Sequence, residues 1–192
     1  MQKKLKSIDW LVLSEAYNRT LSFFFSFPSR TIGLNDLSQK IGVSKTSAKE
    51  AVLQLEKEKF LDKEEIGKTW RITANSSHPY QITRKAPRSL QRIYESGAVD
   101  LIREKYPSAK AIILFGSFRN GSDNESSDID IAVEITGNSE PKVETLGTIE
   151  TFEYRKKVPI NLFVFSRNKI DLNIFNNIGN GIVLDGFLEV RT

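Results

Sequence analysis

Asp128 and Asp130 stand two residues apart in the run "SDIDIAVEI", Ser127 to Ile135, with an isoleucine after each. Alternation of this kind belongs to a β-strand, so both aspartates share one face while Ile129 and Ile131 take the other. Carboxylates at alternate strand positions lie about 6–7 Å apart. They repel each other and invite a hard cation with oxygen ligands, Mg²⁺ being the usual one. A divalent ion held this way bridges nucleotide phosphates and lowers the pKa of an attacking hydroxyl. Upstream, "AIILF" (Ala111–Phe115) is a short apolar run suited to a buried strand, and it ends in Gly116-Ser117. Strand, Gly-Ser, then a helical turn presents backbone N–H groups, and small residues let a phosphate come close to them. An exposed strand face accounts for one aspartate alone; a pair that follows such a turn points to chemistry.

The whole stretch, "GSFRNGSDNESSDIDIAV" from Gly116 to Val133, closely resembles the signature of the DNA polymerase β-like nucleotidyltransferase superfamily in its minimal form. The shared parts are Gly-Ser, an Arg-x-Gly, a polar spacer, and Ser-Asp-x-Asp in a strand. The resemblance covers roughly residues 89–190. It implies a small mixed sheet with flanking helices and transfer of a nucleoside monophosphate from a nucleoside triphosphate to a hydroxyl, with release of pyrophosphate. It places Gly116 and Ser117 at the β- and γ-phosphates and Arg119 beside them, to neutralise them or orient the turn. Asp128 and Asp130 become the catalytic carboxylates and the Mg²⁺ ligands.

The pattern departs at the third carboxylate, expected on a later strand as apolar-Asp-apolar. The matching run, "KVPINLFVFS", has Asn161 there. An amide keeps the shape and ligates through its oxygen, but it brings no negative charge and accepts no proton at neutral pH. General-base catalysis is commonly worth about 10²–10⁴ in rate, so full polymerase-like activity is not expected; weak or substrate-assisted transfer stays open. Glu134, which keeps the strand parity of the two aspartates, and Glu153 are the candidates to replace the missing acid.

The first 80 residues read differently. They carry 13 Lys and Arg against 9 Asp and Glu, while residues 81–192 carry 15 of each, so the whole excess of +4 lies in the first part. Asn35 or Asp36 is expected to cap a short helix holding Leu37 and Ile41, ended by Gly42. Ser44 then caps a longer helix whose Ala48, Ala51, Val52 and Leu55 repeat at three-to-four spacing. "FLDKEEI", Gly67-Lys68 and "TWRIT" predict a hairpin, and Ile8 to Phe25 supplies a supporting helix. Roughly residues 8–75 resemble a winged helix-turn-helix domain. That resemblance implies that Ser44, Lys45, Thr46, Ser47 and Lys49 face the major groove of double-stranded DNA, with Lys68 and Arg71 on the wing. Lys and Arg neutralise phosphates, and Ser and Thr donate to backbone or base edges. A merely solvated, lysine-rich face is the plainer alternative.

Between the two parts, "NSSHPYQITRKAPRS" reads as a linker whose "RKAPR" either meets a phosphate or is simply soluble, and His78 within it is structural or inert. Residues 89–106 predict a helix with a weak point at Gly97. Lys169–Ile178 predicts a short helix capped by Asp171, and Ile182–Leu188 a terminal strand.

The expected architecture is therefore α/β (α+β): a winged helix domain over 1–76, a linker over 77–88, and a small mixed-sheet nucleotidyltransferase domain over 89–192. No apolar run approaches the roughly 18 residues of a membrane span, and Asp9 and Glu15 interrupt any signal-peptide core. With no cysteine and one histidine, a zinc enzyme is not expected, and a cytoplasmic location is expected. Three functions fit. The first is a nucleotidyltransferase fused to a DNA-binding domain. The second is a DNA-binding transcriptional regulator whose inactive transferase domain senses a nucleotide or forms a homodimer. The third is a two-protein system with a helical partner protein.

Overall fold

The computed structural model describes residues 14–189, which form parts of two compact units divided between Ser76 and Ser77. In the first unit three helices precede a hairpin. Helix α1, Glu15–Ser26, starts at Ser14, whose hydroxyl accepts from the Tyr17 N–H. The run Phe23–Phe25 is buried in it, and the Phe25 and Phe60 rings lie 5.4 Å apart, so these phenylalanines build the core. The expected start of this helix, Ile8 to Leu13, lies outside the described residues.

Helix α2, Leu34–Ile41, is capped by Gly33 rather than by Asn35 or Asp36. Leu34 is buried, which draws the first turn forward and leaves Asn35 and Asp36 exposed inside it. Helix α3, Lys45–Lys57, follows a turn at Gly42, and the Ser44 hydroxyl caps it by accepting a 3.0 Å bond from the Ser47 N–H. Ala48, Ala51, Val52 and Leu55 form its buried stripe. Strands β1, Leu61–Ile66, and β2, Thr69–Ala74, pair antiparallel with Ile66 opposite Thr69.

The second unit begins with a correction. The stretch expected as a linker turns helical: a π-helical turn, Gln81–Lys85, runs directly into α4, Ala86–Glu95. Local polarity suggested a solvated segment, but Lys85 is only 3% exposed because Asp123, 38 residues on, supplies a buried partner. The helix expected over 89–106 is two helices. Gly97 takes φ 74°, a left-handed conformation that a side chain disfavours, and separates α4 from α5, Ala98–Lys105.

Five strands follow: β3 Ala109–Phe115, β4 Ile129–Ile135, β5 Lys142–Phe152, β6 Arg155–Ser166 and β7 Ile182–Gly186. A one-turn helix α6, Ser117–Asn120, follows β3, and α7, Leu172–Gly179, precedes β7. The sheet order is β5-β6-β4-β3-β7, mixed because only β4 and β6 run parallel. Alternation divides its core. Ile112, Leu114, Ile129, Ile131 and Val133 pack with Ile93 and Ile102 on one face. Ala111, Ile113, Ala132 and Phe165 pack with Phe175 and Ile178 of α7 on the other. Asp171 caps α7, accepting from the Asn173 and Ile174 N–H groups. Among the described residues no helix is long and apolar enough to cross a membrane.

Candidate functional site

Strand parity puts Asp130 and Asn161 on the α7 face of the sheet, and Asp128, one residue before β4, is tied to that face by its bond to Asn161. Asp130 pairs with Phe115 on β3 and with Asn161 on β6. Gly116, directly after Phe115, adopts φ 69° and ψ −153°, and a Cβ there would sit 2.6 Å from Asp130 Oδ2. The glycine is therefore required twice, for its backbone conformation and for the space its missing side chain leaves to a carboxylate. Ser117 opens α6, and Arg119, partly exposed on it, has no ion-pair partner among the described residues. The Asn161 Nδ2 donates a 3.1 Å bond to Asp128 Oδ2, and Thr145 on β5 reaches the Asn161 Oδ1 at 3.5 Å. Burial, and then the neighbouring Asp128, push the Asp130 carboxyl above its ordinary range. A concentration of negative charge under a glycine turn has the electrostatics of a cation site.

Neither substitute for the third acid reaches it. Glu134 shares the face, but four strand residues from Asp130 place it about 13 Å away. Arg167 also holds it bidentately, at 3.0 and 2.9 Å. Glu153 lies in the β5–β6 turn, paired with Arg92 of α4 at 3.1 Å. Among the described residues no three His, Cys, Asp or Glu side chains cluster to hold a metal. Two carboxylates and one amide oxygen remain. They suit a single hard cation whose other ligands are phosphate oxygens and water, and amide rotation would present the Asn161 oxygen instead of its N–H.

The polymerase beta nucleotidyltransferase family model matches residues 99–185. That range takes in the whole site. A protein of Methanocaldococcus jannaschii, provisionally named a protein adenylyltransferase, is 40% identical over 58 residues, 30% of this chain and 55% of that protein. The protein adenylyltransferase MntA of Shewanella oneidensis is 33% identical over 69 residues, 36% of this chain and 45% of that one. The chain thus spans about half the length of the curated relatives it matches. These similarities support the polymerase β-like superfamily for the second unit, and its small mixed sheet with flanking helices fits a nucleotidyltransferase domain.

Outside the nucleotidyltransferase match, the first unit gathers only some of the expected DNA contacts. Lys45 and Lys49 of α3 and Lys68 of the hairpin line one cleft of about 310 Å³ with Trp70. The Lys49 Nζ lies 5.7 Å from the centre of the Trp70 ring. Thr46 is exposed beside them. Ser44 and Ser47 are engaged with each other at 2.8 Å and with the helix cap. Arg71 lies elsewhere, 3.9 Å from Glu64 in a cleft shared with Glu56 and Asp62. Strand parity separates it from Trp70, its neighbour. Trp70 was within the run that predicted the hairpin, but alternation alone did not say which face it takes.

Proposed function

We propose that the second unit binds a nucleoside triphosphate with Mg²⁺ and transfers its nucleoside monophosphate to a hydroxyl, slowly, for lack of a general base. The observation that carries this reading is the Asp128–Asp130 pair held between Gly116 and Asn161. Gly116 and Ser117 receive the terminal phosphates, Arg119 neutralises them, and Asp128 and Asp130 hold the cation. Bound there, Mg²⁺ would neutralise phosphate charge and orient the α-phosphate. The acceptor oxygen forms a bond to the α-phosphorus, the bond to pyrophosphate breaks, and the hydroxyl proton leaves to solvent or a substrate phosphate oxygen. The names of the two relatives suggest ATP as donor and a protein hydroxyl as acceptor. Calorimetry with Mg²⁺ and ATP tests binding, which Asp128→Ala with Asp130→Ala should abolish; no binding by the unaltered protein overturns the reading. Labelled α-phosphate appearing on protein tests turnover.

A second reading keeps the nucleotide and drops the turnover. Asn161 favours a regulator whose first unit, a DNA-binding winged helix over residues 1–76, is controlled by nucleotide in the second. Lys45, Lys49 and Lys68 supply phosphate contacts in that reading. A homodimer extends either version, and a helical partner protein, as the acceptor, extends the first.

A further inference from the structure

Lys85, Asp123 and Arg155 form an ion cluster only 3%, 4% and 6% exposed. Lys85 Nζ lies 3.2 Å from Asp123 Oδ2 and also donates to the Asp123 carbonyl. Arg155 Nη1 stands 3.8 Å from the same Oδ2. Lys85 and Arg155 both face Asp123, with Glu125 a further charge near each of them, and the arrangement is incompletely satisfied. Asp123 Oδ1, Arg155 Nε and Nη1, and both amide atoms of Gln81 are buried without hydrogen-bond partners among the described residues. Burial pushes the Asp123 carboxyl up and the Lys85 and Arg155 groups down, the direction of a desolvation cost. Apolar side chains of similar volume often stabilise a fold as well as a buried ion pair does, or better. Stability alone therefore does not account for the cluster.

Its reach does. The Arg155 Nη2 donates to the carbonyl of Ser127, the residue before Asp128. Its guanidinium also lies 5.4 Å from the Phe118 ring, and Phe118 follows the Gly116-Ser117 turn. One side chain thus touches both ends of the polar spacer that separates the phosphate turn from the aspartates. Lys85 pins the middle of that spacer through Asp123, and the Gln81 backbone closes on Gly121 where the spacer begins. Asp128 is among the charges that Arg155 senses.

We propose that Arg155, with Lys85 and Asp123, is a positioning device that sets the separation between the Gly116-Ser117 turn and Asp128. This rests on the reading of that site as a nucleotide and cation cradle. Groups that orient metal ligands without touching the metal commonly change metal affinity by about 10–100-fold. The test is a Mg²⁺ titration at fixed ATP, set beside ATP binding without Mg²⁺ and a thermal melt, for Arg155→Met, Arg155→Lys and Lys85→Met. Expected is a Mg²⁺ half-saturation about 10–100-fold weaker, with Mg²⁺-free ATP binding and cooperative melting retained. Arg155→Lys keeps a buried cation but loses the planar fork that bridges Phe118 and Ser127, so it should fail like Arg155→Met; it and Lys85→Met decide the matter if Arg155→Met does not fold. Folded variants with the Mg²⁺ dependence of the unaltered protein overturn the proposal and leave the site reading standing. Parallel loss of Mg²⁺-free binding and melting temperature overturns it in favour of a purely structural role. No Mg²⁺-dependent binding by the unaltered protein overturns the site reading, and this proposal with it.

Discussion

Asn161 donates a hydrogen bond to Asp128 Oδ2 from the β6 position that pairs with Asp130. Where the superfamily pattern calls for a third negative charge, this chain aims an N–H at the first. The amide partners one of two crowded carboxylates, and an amide at this position is no base. Asn161→Asp exchanges that donor for a charge. The variant should melt at a lower temperature without metal, gain more from Mg²⁺ than the unaltered protein does, and raise labelled α-phosphate transfer, up to about 10²-fold. Paired melts with and without Mg²⁺, plus the transfer assay, check it.

Gly116→Ala should be disproportionately harmful for one methyl group. It forces a side chain into φ 69° and brings Cβ to 2.6 Å from Asp130 Oδ2. We expect a loss of about 1–3 kcal/mol in denaturant unfolding and no measurable Mg²⁺-dependent ATP binding. A variant that binds as before would mean that Asp130 has room to turn away.

Asp130 gives a pH prediction for the metal-free protein. Its carboxyl holds a proton more tightly in the folded chain than the ordinary value of 3.8 describes, through burial and then Asp128. From 3.8 up to the raised folded value, the native state binds more protons than the unfolded one. Stability therefore falls as pH rises through that window, and the cost is fully present at neutral pH. Asp130→Asn should be more stable than the unaltered protein above the window, lose the advantage below it, and abolish Mg²⁺ binding. Melts from acid to neutral pH would show it.

Lys45→Ala with Lys49→Ala should weaken a salt-dependent shift of duplex DNA and flatten its salt slope by about two charges. Arg71→Ala, altered on the other face of the hairpin, should change the shift less. Equal effects from both would move any DNA surface away from the Trp70 cleft.

Features governed by chain neighbours were legible in advance. The Ser44 and Asp171 caps, the Ala48–Leu55 stripe, the break at Gly97 and the inward face of Ile129 and Ile131 all follow from period and local hydrogen bonding. Strand β5 was not anticipated. It is an edge strand, and a register shift between Thr145 and Gly147 brings Leu146 and Ile149, of opposite parity, onto the same core. That bulge removes the alternation by which a strand is recognised.

The sequence by itself determined the two aspartates, the glycine turn before them and the asparagine where an acid was due, because each is a matter of residue type at a fixed spacing. Tertiary structure decided which of them meet. It turned Asn161 toward Asp128 across 33 residues, tied Glu134 to Arg167 and Glu153 to Arg92, and buried Lys85 against Asp123. The physical reason is that a charged side chain takes its final partner from whatever the packed sheet and helices bring within reach once water is excluded, and no local pattern records that choice.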